Sequence, residues 1–175
     1  MDGPGIVRLA GLVLLLVVAA WSDISRGRIP NFLTFAGMGL GFGIAVAEAL
    51  LQGRFDPLAL SFLGWVAGFG IFYIPHHFKL LGRGDVKLMG AVGALQGPPL
   101  SALFIFHAIF YISLTAACMA LVLLIWQGRL LEGLKNSLRL LVKPRLAAEL
   151  PQITLPYGVA IAAGTLWAVS LALMR

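Results

Sequence analysis

Charge is scarce in this chain. Asp, Glu, Lys and Arg make up 11% of 175 residues, where soluble domains carry about 25%. Hydrophobic residues reach 60% and the mean hydropathy is +0.96. So little polar surface cannot clothe a water-soluble fold, and an integral membrane protein follows. Cysteine is nearly missing. Cys118 stands alone inside an apolar run, which excludes a disulfide framework and a cysteine metal pair. There are three histidines: His76 and His77 side by side, and His107 in an apolar run. That is too few donors, too far apart, for a metal site, and no cofactor is expected. Short alternating segments of about ten residues, the mark of a membrane barrel, are also lacking.

What is present is a set of long apolar runs rich in Leu and Phe. They predict an all-α polytopic bundle of about six transmembrane helices, a single membrane-embedded domain over 1–175. A span needs roughly 20 apolar residues. The runs fall at about Ile6–Trp21, Phe32–Leu51, Leu58–Ile74, a short fourth beginning at Val86, Leu100–Trp126, and about Ile153–Met174. The fourth and fifth form one stretch that QGPP at 96–99 interrupts, because proline and glycine break helical hydrogen bonding. The first run carries Arg8, expected to snorkel to the interface. That run lacks a basic leader and a small-residue cleavage site, so it reads as a span rather than a signal peptide.

The net charge of +6 and pI of about 10.1 would suit nucleic acid, but the basic residues lie between the apolar runs, as membrane topology dictates. Residues 22–31 hold Arg26 and Arg28. Residues 75–87 hold Lys79, Arg83 and Lys87. Residues 127–152 hold Arg129, Lys135, Arg139, Lys143 and Arg145. With six spans all three loops share one side, which the positive-inside rule makes cytoplasmic, and both termini face out. In the longest loop Leu130, Leu131, Leu134, Leu138 and Leu141 recur at helical spacing, predicting a helix lying in the lipid interface. Gly37, Gly39, Gly41 and Gly43 predict close helix packing in lipid.

Four acids lie at or near membrane depth: Asp23, Glu48, Asp56 and Asp85. Acids there are costly and mark functional candidates. The topology puts Glu48 and Asp56 toward the outer side, and Asp23 and Asp85 together at the cytoplasmic side. Singly, each has a structural role to hand: Asp85 as a helix N-cap, Asp23 as a loop acid beside Arg26 and Arg28. Together they match the needs of peptide hydrolysis by two aspartates. One ionised carboxylate takes a proton from water, and one protonated carboxyl donates to the peptide carbonyl. Carboxyls about 3 Å apart share one proton. Helix ends bias the pair, Asp85 at an N-terminus toward the charged form and Asp23 at a C-terminus toward the neutral one. Gly82 and Gly84 leave room beside Asp85 for backbone or substrate. Lys87, two residues on, is placed to stabilise a carboxylate, to meet an acidic substrate group or to bind lipid headgroups.

Gly82-Arg83-Gly84-Asp85-Val86-Lys87 resembles the GxGDxK signature of the type IV prepilin peptidases, intramembrane-type aspartyl proteases. Asp23-Ile24-Ser25-Arg26-Gly27-Arg28-Ile29-Pro30-Asn31 is similar to that family's first aspartate and Ile-Pro-Asn-like end. Leu155-Pro156-Tyr157-Gly158-Val159-Ala160-Ile161-Ala162 is similar to its last-helix Pro-Tyr-Gly motif. The resemblance spans nearly the whole chain. It implies an aspartic endopeptidase at the cytoplasmic face of a bacterial inner membrane, cutting after the Gly that ends a short basic prepilin leader. By position it gives Asp23 and Asp85 as the catalytic pair, without metal; Gly82, Gly84 and Lys87 are candidate substrate contacts from their own chemistry rather than from the resemblance. The implied partners are the prepilin's leader and first hydrophobic helix residues, and membrane lipid. Larger members add Cys-x-x-Cys zinc sites and an N-methylating activity. With one cysteine this chain resembles the short form associated with Flp/Tad pili, so peptidase activity without methyl transfer is expected.

Beside the resemblance, Pro30 bars helix at Ile29 and Asn31 is expected to cap the second span. Pro156-Tyr157-Gly158 is expected to position the last span and a tyrosine hydroxyl. Two other functions fit a small membrane bundle. A proton-coupled transporter would want acids near mid-bilayer and repeat symmetry, but the acids sit at one edge and no repeat is visible. A non-catalytic subunit of a pilus or secretion apparatus differs from a peptidase only in activity.

Overall fold

The apolar runs set the architecture. The computed structural model describes residues 3–79, 81–96, 101–128, 131–133, 135–136, 139 and 156–174. Within them the elements are α1 (Gly3–Arg26), α2 (Asn31–Gln52), α3 (Asp56–His77), α4 (Arg83–Gln96), α5 (Ser101–Trp126) and α6 (Tyr157–Leu173). Each expected span has its helix. Helices α1, α2, α3 and the Phe106–Trp126 stretch of α5 are long and apolar enough to cross a membrane. Helix α4 has 14 residues, in keeping with the short fourth span expected, and α6 has 17 among the described residues. The amphipathic helix expected over 127–152 lies mostly outside the described residues, as do the QGPP break beyond Gln96 and the start of the last span before Pro156.

Helix α4 forms the centre. It packs most extensively on α3 and α2, and α1, α6 and α5 complete its surround. From Val86 to Gln96 every residue but Lys87 is buried. At 1.5 Å per residue it reaches only about 21 Å, against about 30 Å of bilayer hydrocarbon. The peripheral helices turn large apolar side chains outward, among them Leu14, Trp21, Phe35, Leu50, Phe62, Phe106 and Val122. Such a surface suits lipid tails.

Small residues bring backbones together. Methyl groups added at Gly64 and Gly68 of α3 would collide with the carbonyl oxygens of Gly93 and Met89 on α4. On α2, a methyl at Gly41 would come 2.6 Å from the Ala94 carbonyl carbon, and one at Gly37 2.9 Å from Leu15 of α1. Gly39 and Gly43 meet nothing within 4 Å. Only half of the glycine run on α2 therefore serves packing, because residues two apart on a helix point to different faces.

Arg8 does not snorkel outward. It is 5% exposed and turns inward to Glu48 of α2, with Nη2–Oε2 at 2.7 Å and Nε–Oε1 at 3.2 Å. Its Nη1 donates to Ser61 Oγ on α3 at 3.2 Å and to the carbonyls of Ala94 and Leu95 near the end of α4. A guanidinium with five donors satisfies the carboxylate in bidentate fashion and also the last carbonyls of a buried helix. These internal partners outcompete the interface.

Candidate active site

At the opposite end of α4 from Arg8, the first helical turn carries the second aspartate. Gly82 precedes the helix and Asp85 is its third residue. The carboxylate folds back so that Gly82 N–H donates to Asp85 Oδ2 at 3.1 Å. The capping role foreseen for Asp85 is thus filled from inside the helix, by the reach-back of a capping box. Gly84 faces Ile29 in the α1–α2 connection, and a methyl there would come 3.1 Å from Ile29 Cβ and 3.4 Å from its carbonyl oxygen. Each of the two glycines around Arg83 has its own task, one as a donor and one as a close-packing point.

Asp23 lies one turn before the end of α1. That helix closes at Gly27, which has φ 62° and whose N–H returns to Asp23 O at 2.8 Å, an αL stop that suits glycine. Ser22 Oγ donates to Arg28 O at 2.9 Å, holding the turn. Pro30 is extended and sits at the N-cap of α2. Asn31 makes no cap. Its Oδ1 accepts instead from Lys87 Nζ at 2.9 Å. The Asp23 carboxylate is gripped from a third helix, as Gly158 N–H at the start of α6 donates to Asp23 Oδ2 at 2.7 Å. A methyl at Gly158 would lie 2.9 Å from that oxygen.

The fold brings these acids, from residues 62 apart in the chain, close enough for the charge on Asp23 to be felt at Asp85. Asp85 is 8% exposed and sits ahead of the apolar part of α4, which is not among the spanning helices. Burial pushes its carboxyl up to about 6 and the charge of Asp23 adds to the rise, while Gly82 N–H and His76 act the other way. Desolvation therefore outweighs the helix-end bias toward a charged Asp85, since a buried charge forgoes hydration that one helix terminus does not replace. The Tyr157 phenol, next to Gly158, is also within reach of the Asp85 charge.

Lys87 is half-buried and points to α2. Besides Asn31 it meets the Phe35 ring, 5.2 Å from Nζ to centroid, so it ties α4 to α2. His76 and His77 belong to the last turn of α3 rather than to a loop. A cavity of about 480 Å³ between α3 and α5 is lined by Phe72, Pro75, Ile112 and Ala116 among others, and also by Leu81 and Tyr157. Among the described residues no group of three or more His, Cys, Asp or Glu is placed to hold a metal. Sequence reasoning missed the Gly158 N–H and the part played by His76. A backbone donor has no side-chain signature, and a histidine beside a basic loop looks like any other.

No solved structure matches the chain. Among curated proteins, the prepilin peptidase EppA of Methanothermobacter thermautotrophicus is 40% identical over 85 residues, 47% of this chain and 22% of that protein. The match thus spans about a fifth of the relative's length. The model of the type IV leader peptidase family matches residues 10–125, from α1 through Asp23 and Asp85 to the end of α5, and the chain belongs to that family.

Proposed function

We propose that this protein is an aspartic endopeptidase that removes the short basic leader of type IV prepilins, cutting after the leader's terminal Gly at the cytoplasmic face of a bacterial inner membrane. The whole of 1–175 acts as one domain. The observation that supports this best is the pairing of Asp23 and Asp85, each on a backbone N–H, at one end of the bundle.

The chemistry follows from the unequal surroundings of the two acids. Asp85, the more buried, holds the shared proton and donates it to the scissile carbonyl oxygen. Ionised Asp23 takes a proton from water as the water oxygen bonds to the carbonyl carbon. Collapse of the resulting diol breaks the C–N bond: the proton on Asp23 goes to the leaving amine, and one diol hydroxyl returns its proton to Asp85, which restores the starting state. The apolar cavity that Tyr157 helps to line offers a place for the hydrophobic residues that follow the cut.

Co-expression with a prepilin precursor tests the reading. Conversion to mature size, with the new N-terminus immediately after Gly, is expected. A non-catalytic assembly subunit or a proton-coupled transporter would leave the precursor intact.

A further inference from the structure

We infer that His76 is a positioning residue for Asp85, acting through a single peptide bond. The last turn of α3 carries His76, and its Nδ1 lies 2.8 Å from the Leu81 carbonyl oxygen. A carbonyl only accepts, so Nδ1 bears the hydrogen. The same peptide unit, Leu81–Gly82, presents the N–H that donates to Asp85 Oδ2 at 3.1 Å. One plane is therefore held at its oxygen by the imidazole and delivers its hydrogen to the carboxylate. Hydrogen bonds in such a chain polarise one another, and the effect is larger where water is scarce.

The ring itself is fixed. Tyr73 packs on it at 6.0 Å between centroids, the end of an aromatic row running through Trp65 and Phe69 along α3. The chain then turns back sharply. Lys79 adopts φ 58° and its N–H donates to His76 O at 2.9 Å. Left-handed backbone at a lysine costs energy that the surrounding contacts must offset. The turn brings Leu81 under the imidazole, and its geometry sets where the Gly82 N–H points.

The inference rests on the peptidase reading for its kinetic consequence but not for its geometry, and the test separates the two. The full chain in detergent or lipid discs is compared with His76→Asn, His76→Gln and His76→Ala. Asn places an amide N–H near the position of Nδ1, whereas Gln places it a bond farther out. Expected for Gln and Ala is a kcat on a prepilin lower by roughly 10- to 100-fold with KM nearly unchanged, and rescue by Asn. Amide exchange at Gly82, followed by NMR, should quicken by about tenfold or more in Gln and Ala and not in Asn. Unaltered Gly82 exchange in His76→Ala would overturn the inference, as would an Asn variant as impaired as Ala. If the wild-type chain cleaves no prepilin while the exchange pattern holds, the peptidase reading falls and the positioning stands.

Discussion

The main-chain N–H of Gly158 donates to Asp23 Oδ2 at 2.7 Å, across 135 residues of sequence. The start of α6 thereby fixes an acid that belongs to α1. A helix N-terminus suits a carboxylate, because its first N–H groups have no partner within the helix.

Gly158→Ala is expected to displace Asp23, since the new methyl would meet the carboxylate at 2.9 Å. Processing of a prepilin should slow on the order of 100-fold. Gly39→Ala is the control, its methyl meeting nothing within 4 Å, and its rate should match wild type. The comparison is read on immunoblots of precursor and product at equal enzyme levels.

Asp23→Asn and Asp85→Asn should each abolish cleavage while leaving membrane insertion intact. An amide at either position removes the proton exchange that two-aspartate hydrolysis needs. A normal rate in either variant would falsify the dyad.

The buried Asp85 carries a stability signature of its own. Its folded-state value of about 6 exceeds the ordinary 3.8, so the native state binds this proton more tightly than the unfolded chain. Its stabilising contribution is full below about pH 4 and is lost as pH rises through about 6. At pH 7.5 Asp85→Asn should therefore raise stability, by roughly 3 kcal/mol, even as activity vanishes. Denaturation in detergent at pH 4.5 and 7.5 should show the gain at the higher pH. For the wild type, kcat/KM should fall as pH climbs through about 6, when free enzyme loses the shared proton.

Arg8 and Glu48 should prove strongly coupled. Removing either partner leaves a buried charge exposed to a poor medium, a loss of about 3–5 kcal/mol. Arg8→Met combined with Glu48→Leu should recover much of that, because no charge then remains uncompensated. A double-mutant cycle on unfolding free energy measures the coupling. Additive losses would mean that the pair does not act as a unit.

Much of this arrangement was readable from residues in a row. Runs such as Phe32–Leu51 announce helices by apolar length, and the placement of Arg26, Arg28, Arg83 and Lys87 sorts Asp23 and Asp85 to one side. What stayed hidden depends on pairing across helices. Nothing local ties Arg8 to Glu48, forty residues away, and lipid snorkelling is the ordinary fate of an arginine near a helix end. Asn31 next to a helix start looks like a cap, yet Lys87 from α4 claims its oxygen. Gly37 and Gly39 are alike on paper, but only one faces a neighbour. The dipole bias toward a charged Asp85 is opposed by burial, a property of the assembled bundle that no single stretch of sequence reveals.

The backbone-to-backbone seam between α3 and α4 has a mechanical consequence. Gly64 and Gly68 of α3 lie directly against the carbonyls of Gly93 and Met89 on α4, so the helix that carries Asp85 is seated backbone to backbone on α3. Asp23 rides on α1 and is clasped by α6, which leans chiefly on α5. The separation of the two acids is therefore set by how α1 and α6 seat against α4, not by either helix alone.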